Sequence, residues 1–198
     1  FDYWLFFIKL NSISVYPTNT IYYRTESSYD FFFFCLKQKP KMIKYIPVVL
    51  KHLYNYKKLK IDFKQLINSF NEIFNKIFKT EQELNELSIK FWDKNIYKLK
   101  DLVNNLTTDD IIITGSPDFL MNIIKDKLNV KEIISTKINN RKIEFLCLGE
   151  NKVKIFKELY PNEKINNFYT DSMNDLPLMK LSNNVYLVKG NKIEKITK

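Results

Sequence analysis

The chain has 198 residues, of which 45% are hydrophobic, and a formal net charge of +10. This length allows one domain with a large insertion or two small domains, and the hydrophobic content is enough for a real core, which excludes a disordered chain. Nearly all of the excess charge is lysine, because Arg24 and Arg141 are the only arginines. Lysine lacks the planar fork with which arginine binds phosphates and bases, so we expect no nucleic-acid partner.

Cysteine and histidine are scarce. Cys35 and Cys147 are the only cysteines and His52 is the only histidine. Two isolated cysteines without a C-x-x-C pair fit a reducing compartment, and we expect a cytoplasmic location. A single histidine excludes zinc sites and catalytic schemes that need several histidines. We expect His52 to be a surface or groove residue.

The opening stretch F-D-Y-W-L-F-F-I is apolar but too short to span a bilayer. It also lacks the basic residues and the cleavage site of a signal peptide, so we expect neither a signal peptide nor a transmembrane segment. Residues 1–11 are interpreted as an N-terminal extension of uncertain role.

Residues 27–106 carry a helical pattern throughout, and three to five helices are expected there. One apolar stripe at three-to-four spacing is formed by Leu66, Phe70, Ile73 and Ile77. Helices are predicted to start where a capping side chain precedes a carboxylate or amide by three residues. These pairs are Ser27 with Asp30, Asp62 with Gln65, and Thr80 with Glu83.

From Asp109 onward strands and helices alternate, which predicts a mostly parallel sheet with helices on both faces. A short buried strand at 110–114 leads into a helix with Ser116 as its N-cap and Pro117 in its first turn. A hairpin at 139–141, a helix at 150–160, a strand at 166–171, a helix at 174–181 and a last strand at 184–188 follow. Ligands of such sheets bind at the carboxyl ends of the strands, where Thr114 and Asp171 fall.

The segment T-G-S-P-D at 114–118 is a candidate phosphate corner. Thr114 ends a strand, Gly115 allows the backbone to turn closely, and Ser116 opens a helix whose free N–H groups suit an anion. An ordinary strand-turn-helix junction is the alternative. Lys152, near the start of a later helix, is a candidate to neutralise phosphate or a carboxylate, with a solvated surface lysine as the alternative.

The segment T-D-S-M-N-D contains two aspartates four residues apart. Asp171 follows an apolar strand, so its carboxylate is a candidate Mg²⁺ ligand at that strand's carboxyl end. Asp175, one helical turn later, is a candidate outer group that orients Asp171 or a metal-bound water. The alternative is that both aspartates only cap the following helix.

Taken in this order, the motifs resemble motifs II, III and IV of the haloacid dehalogenase superfamily of phosphohydrolases, most closely the phosphoserine phosphatase branch. I-I-I-T-G-S-P-D-F-L is similar to motif II with Thr114 as the phosphate-binding hydroxyl, G-E-N-K-V to motif III with Lys152, and T-D-S-M-N-D to motif IV with Asp171 and Asp175. The resemblance implies Mg²⁺ as cofactor and a small phosphorylated substrate. It also implies a Rossmann-like α/β core from residues 12–26 and 107–198, with an all-helical cap at 27–106.

Motif I of this family, D-x-D-x-T, is degenerate here. The resemblance places Thr20 at the phosphate-binding threonine of the motif, Tyr16 at the nucleophile position and Thr18 at the acid–base position. In the family the first aspartate attacks phosphorus and the second protonates the leaving oxygen. Neither tyrosine nor threonine does this work near neutral pH. The resemblance therefore implies a phosphatase that is impaired in this chain, with an inactive protein that binds phosphate and Mg²⁺ as the alternative.

Two explanations of the degenerate motif stay open: an altered reading frame before about Asn19, and a genuine pseudoenzyme. The stretch F-D-Y-W-L imitates the second half of motif I with Asp2. We interpret it as a decoy, because Trp4 replaces the threonine of the motif and the preceding strand is missing.

Aromatic residues and lysines are concentrated at the start of the helical region. The aromatic residues Tyr29, Phe31, Phe32, Phe33 and Phe34 precede a basic stretch at Lys37–Lys60. The aromatics either form the core of the helical region or line a site for a ligand with an apolar part. Weak contact with an anionic membrane surface is a further expectation. The sequence predicts no oligomeric state.

Overall fold

The computed structural model describes residues 13–23, 26–172 and 175–196. The N-terminal extension, with Asp2 and Trp4 of the alternative motif, lies outside the described residues. Within them, no helix has the length and apolar character needed to cross a membrane.

The described residues contain seven strands in one sheet. Their bounds are β1 Ile13–Tyr16, β2 Ile111–Pro117, β3 Glu132–Asn139, β4 Lys142–Phe145, β5 Ile165–Thr170, β6 Ser182–Lys189 and β7 Lys192–Ile196. The strand order is β4-β3-β2-β1-β5-β6-β7. The five central strands are parallel, and β4 and β7 pair antiparallel at the two edges. This confirms the predicted Rossmann-like α/β fold.

Helices cover both faces of the sheet. The α-helices are α1 Thr18–Ile21, α2 Ser27–Gln38, α3 Ile46–Lys57, α4 Phe63–Ile77, α5 Glu81–Asn95, α6 Asp118–Met121, α7 Glu150–Leu159 and α8 Leu176–Leu181. Short 3₁₀ helices occupy Pro40–Tyr45, Ile96–Lys98, Asp101–Asn105 and Asn122–Lys127. Helices α2 to α5 lie between β1 and β2, where three to five helices were expected. The division into a core and a separate cap stays a prediction.

Strand β1 shows how the sheet separates two hydrophobic cores. Ile13 and Val15 belong to the cluster that α7 and α8 cover with Phe156 and Leu178. Because successive side chains of a strand point to opposite faces, Tyr16 belongs to the other cluster. Helices α2 and α5 supply the large aromatic residues of that second cluster, Phe31, Phe91 and Trp92. Part of the helical region therefore shares its core with the sheet.

The chain leaves the sheet for the helical region and returns to it through two paired segments. The Tyr23 amide donates to the Lys98 carbonyl at 2.8 Å, and the Lys100 amide donates to the Ile21 carbonyl at 2.9 Å. An isolated antiparallel bridge joins Tyr22 and Leu99 between them. This pairing brings Lys100 close to the carboxyl end of β1.

Several local predictions are confirmed. Asp62 and Gln65 form the complete capping box of α4. Leu66 and Ile73 of the apolar stripe are buried. The hairpin between β3 and β4 turns at Asn140 and Arg141, whose φ angles of 48° and 59° fit a type I′ turn.

Two cap predictions are wrong. The N-cap position of α2 is Glu26, and Ser27 lies inside the helix with its buried hydroxyl 3.1 Å from that of Ser116. Ser116 does not cap a helix either, because β2 continues to Pro117 and α6 begins at Asp118. Both serines use their hydroxyls to join α2 to β2.

Two further predictions need correction. Glu83 does not complete a capping box with Thr80, although the Thr80 hydroxyl accepts from the Glu83 amide at 3.0 Å. The Glu83 carboxylate accepts from the Lys79 amide and pairs with Lys39 instead. Strand β6 is not the last strand, because the chain turns at Gly190, with φ of 61°, and returns as β7.

Candidate functional site

The candidate site lies at the carboxyl ends of β1, β2 and β5. These three strands are neighbours and parallel, so their carboxyl ends meet at one edge of the sheet. Tyr16 ends β1 and Thr170 ends β5. Thr114 lies in β2, two residues beyond Ile112, which pairs with Tyr16. Such an edge is where ligands of parallel α/β sheets bind.

Strand β2 is irregular at Thr114, Gly115 and Ser116, because its regular pairing with β3 shifts between Ile113 and Pro117. Two hydroxyl groups form hydrogen bonds with the backbone of this irregular segment. The buried Thr114 Oγ1 accepts from the Ser116 amide at 2.9 Å, and the Thr136 hydroxyl donates to the Gly115 carbonyl at 2.8 Å. The Ser116 amide is thus used inside the corner, where we had expected it to be a free helix amide.

The need for glycine at position 115 arises from the nearby Leu148 side chain and not from a left-handed backbone. It is not among the residues with positive φ. A Cβ atom at this position would lie 2.5 Å from Cδ2 of Leu148, so that side chain would have to move. Leu148 is 47% exposed and can yield, which makes Gly115→Ala a mild change.

Lys152 and Asp175 form a buried ion pair, with Nζ and Oδ1 2.5 Å apart and about a tenth of each side chain exposed (9% and 10%). Helix α7 positions Lys152, and Gly149 precedes the helix with φ of 52°. The Thr170 hydroxyl lies 3.4 Å from the other Asp175 oxygen. Asp175 occupies the N-cap position of α8 but makes no cap hydrogen bond. Its side chain therefore serves the ion pair, which excludes the capping alternative for Asp175.

Cys147 lies among the residues of motifs II, III and IV. Burial raises the pKa of its thiol to about 11, while nearby Lys152 and the Thr114 backbone act to lower it and Asp175 to raise it. Its amide donates to the Thr136 hydroxyl at 3.1 Å. Burial therefore keeps this thiol protonated at neutral pH.

Asp171 is exposed just beyond β5. Lys100, which is 6% exposed, approaches it from the segment that returns to the sheet. Burial lowers the pKa of the Lys100 ammonium, and the Asp171 carboxylate partly offsets this effect. The corner therefore contains two buried lysines, Lys152 and Lys100, each near one of the two aspartates.

Tyr16, which the sequence resemblance places at the nucleophile position of motif I, is a packed side chain. Its ring stacks on Tyr169 with centroids 4.4 Å apart and planes at 7°, and Tyr169 stacks on Tyr186 at 4.8 Å. Burial, reinforced by Asp110 and Tyr169, raises the Tyr16 pKa well above its ordinary value. The Tyr16 hydroxyl therefore stays protonated at neutral pH.

The remaining motif I positions lie in or beside α1. The Thr20 hydroxyl is fully buried and donates to the Pro17 carbonyl at 2.5 Å. It supports the turn after β1, so its predicted phosphate contact stays a prediction. Thr18 begins α1, and its side chain is outside what the structure describes.

The donors in this corner set limits on a metal. No group of three or more His, Cys, Asp or Glu side chains that could hold a metal ion occurs in the part of the chain that the structure describes. The Asp175 carboxylate is already paired with the Lys152 ammonium. Mg²⁺ often uses one or two carboxylates and completes its shell with water and phosphate oxygens. A Mg²⁺ site at Asp171 therefore stays a prediction.

The sequence did not assign four residues to this candidate site: Ser27, Lys100, Thr136 and Cys147. Lys100 is one of 30 lysines, and its burial arises from chain pairing that no local pattern indicates. Thr136 supports Gly115 from a neighbouring strand. In the sequence, only the alternation of side chains along β3 indicates the face of the sheet to which Thr136 points.

Comparison with known proteins gives one family and several similar folds. The model of the haloacid dehalogenase-like hydrolase family matches residues 19–180. No curated protein matches the chain.

Among solved structures, a Bordetella pertussis Tohama I protein of unknown function aligns with a TM-score of 0.65 and 16% identity, over 85% of this chain and 86% of that one. A probable phosphoserine phosphatase from Vibrio cholerae has a TM-score of 0.59 and 14% identity, over 89% of this chain and 56% of that one. A phosphoserine phosphohydrolase-like protein from Francisella tularensis has a TM-score of 0.51 and 18% identity, over 88% and 85%. At these identities the similarity concerns the fold.

Proposed function

Because the chain belongs to the haloacid dehalogenase-like hydrolase family, we propose that it is a phosphatase scaffold that binds a small phosphomonoester together with Mg²⁺. We also propose that hydrolysis is impaired in this chain. The observation that carries the proposal is the buried ion pair of Lys152 and Asp175, whose second carboxylate oxygen lies 3.4 Å from the Thr170 hydroxyl. Two of the structural neighbours are named as a probable phosphoserine phosphatase and a phosphoserine phosphohydrolase-like protein. These names support a phosphomonoester as the ligand.

Each residue of the corner has a proposed role toward the phosphate. The ammonium of Lys152, held by Asp175, stabilises the negative charge of the phosphate oxygens. The Thr114–Ser116 turn supplies a close backbone surface, and Lys100 adds positive charge beside Asp171. Asp171 would hold Mg²⁺, which when bound neutralises further phosphate charge. The helical region at 27–106 is proposed as the cap over this corner.

Hydrolysis requires a nucleophile and an acid that this corner lacks at the motif I positions. Tyr16 is stacked and buried with a raised pKa, so its hydroxyl supplies no anionic oxygen. A threonine at position 18 cannot protonate the leaving oxygen near neutral pH. This packing of Tyr16 favours a second candidate function, a binding protein that recognises a phosphorylated ligand without turnover.

The test compares phosphate release from p-nitrophenyl phosphate with and without Mg²⁺. We expect no turnover by the parent chain and Mg²⁺-dependent turnover by the Tyr16→Asp, Thr18→Asp double variant. Turnover by the parent that Asp171→Asn abolishes would overturn the impairment. If neither protein turns over, and phosphate also fails to raise the melting temperature of the parent, the phosphatase-scaffold proposal is wrong.

A further inference from the structure

An apolar groove runs between α2, α3 and α4. It consists of two adjoining cavities of about 310 Å³ and 530 Å³, both within the range of ligand sites. Five residues line both cavities in addition to Val49: Ser28, Phe32, Met42, Ile73 and Ile77. None of the described residues that line either cavity carries a charge. We call this feature the apolar groove.

Helix α3 leaves the groove open. None of its residues, all of which are described, is buried. On the side that faces α2, Leu50 and Leu53 line the larger cavity although they are 59% and 42% exposed. Tyr29 and Phe33 of α2 line the same cavity at 60% and 59% exposure. Apolar side chains at such exposure leave a surface whose burial by an apolar ligand is favourable.

One end of the groove lies beside the candidate phosphate corner. Ser27 and Ser116 join α2 to β2 through their hydroxyls. The next residue of each segment, Ser28 and Pro117, lines the smaller cavity. From Ser28 the cavity follows α2 to Cys35, which is roughly 10 Å along a helix.

The charges around the groove favour an anionic amphiphile. No acidic residue occurs between Asp30 and Asp62, whereas this interval contains eight lysines. Lys39 pairs with Glu83. The other seven are exposed: Lys37, Lys41, Lys44, Lys51, Lys57, Lys58 and Lys60. An apolar groove in a segment this rich in exposed lysines complements a ligand that has a hydrocarbon chain and a negative head group.

We infer that the apolar groove binds the hydrocarbon chain of a phosphomonoester whose phosphate sits in the Thr114–Lys152 corner. The substrate class is thus a single-chain lipid phosphate or an alkyl or isoprenoid monophosphate. This inference rests on the proposed function. It adds that the groove, by accepting the chain, selects among phosphomonoesters.

The test measures the affinity of ethyl, hexyl and decyl monophosphate for the full chain by calorimetry, below the concentrations at which they form micelles. Burial of a methylene is worth about 0.8 kcal/mol, or up to about fourfold in affinity. We expect affinity to rise with each methylene until the groove is filled. Decyl sulfate and decanol are the head-group controls, and both should bind at least about tenfold more weakly than decyl phosphate.

Two adjacent valines provide a matched pair of variants. Val49 lines both cavities, whereas Val48, 39% exposed in the same helix, lines neither. Val49→Asn places an amide in the groove and should weaken decyl phosphate about tenfold without changing ethyl phosphate. Val48→Asn should change neither. Val49→Phe keeps the groove apolar but narrows it, so the alkyl phosphate that binds with highest affinity should have a shorter chain. This variant tests the groove even if Val49→Asn folds poorly.

The outcomes separate this inference from the proposed function. Ethyl phosphate binding without any gain from chain length would overturn the groove assignment and leave the phosphate corner intact. Failure of every phosphate to bind would overturn both. Equal binding of decyl sulfate and decyl phosphate, or a dimer in solution that Val49→Asn but not Val48→Asn dissociates, would also overturn the inference. If the groove binds a bilayer instead, the protein should bind vesicles, and decyl phosphate should not displace it from them. This result would also overturn the inference.

Discussion

Lys152 and Asp175 carry most of the electrostatic character of the candidate site. Both side chains are about nine-tenths buried, and their charged atoms are 2.5 Å apart. A buried pair is not a reliable source of stability, but removing one partner leaves the other charge buried and unpaired. We therefore expect the two residues to be coupled in stability.

We predict that Lys152→Met lowers the free energy of unfolding by about 3 kcal/mol because Asp175 loses its buried partner. The matched control is Lys154→Met in the same helix. Lys154 is 71% exposed and lies 3.9 Å from Glu158, so its change should stay under about 1 kcal/mol. Urea unfolding measures both. Equal effects of the two substitutions, or no recovery on adding Asp175→Asn to Lys152→Met, would contradict this account.

Glu83 provides a pH-dependent contribution to stability. Its hydrogen bond with Lys39 holds the pKa of the carboxyl below its ordinary value of 4.5. The folded state thus binds the proton less readily than the unfolded state. The stabilisation is complete above the ordinary pKa, and it is lost as the pH falls through the lowered one. The pair is partly exposed, so its contribution is less than about 1 kcal/mol.

We predict that Glu83→Gln lowers the free energy of unfolding at neutral pH and has no such effect in acid, where the parent carboxyl is protonated. Glu81→Gln is the control, because Glu81 is exposed in the same first turn of α5. Chemical unfolding over a pH series measures the difference. A Glu83→Gln effect that is constant across the series would show that Lys39 and Glu83 do not form the pair described.

At the scale of elements, the ends of the helices decide how well local sequence predicts structure. Asp62 and Gln65 form a reciprocal capping box because both partners lie in an exposed, local segment. Ser27 matches the same sequence rule, yet its hydroxyl is buried against Ser116. The rule fails there because a tertiary contact competes for the serine.

We predict that Asp62→Ala lowers the free energy of unfolding by about 1 kcal/mol, since the Gln65 amide loses its acceptor. Asp93→Ala, at an exposed position inside α5, should stay within about 0.5 kcal/mol. Thermal or urea unfolding distinguishes the two variants. If Asp93→Ala were the more destabilising change, the cap would not hold α4 as described.

For the whole molecule, the sequence predicted a mostly parallel sheet and placed Thr114 and Asp171 near the carboxyl ends of its strands. Both predictions were possible because apolar strands and the polar residues that follow them are local signals. It did not predict that β2 runs past Thr114, since the shift in pairing depends on the Thr136 hydroxyl from β3. It also missed the approach of Lys100, which depends on pairing between the two segments that join the sheet to the helices. The sequence also did not predict the environment of Tyr16, because Tyr169 and Tyr186 are far from Tyr16 along the chain.

We propose that the corner around Lys152 and Asp175 binds the phosphate of a phosphomonoester. The most direct test is calorimetric titration of ethyl phosphate into the parent chain and into the Lys152→Met, Asp175→Asn double variant. The double variant removes both charges together, so it should fold while losing the cation. We expect affinity to fall about tenfold or more, with Lys154→Met unchanged. Equal affinity of a folded double variant and the parent would contradict the account.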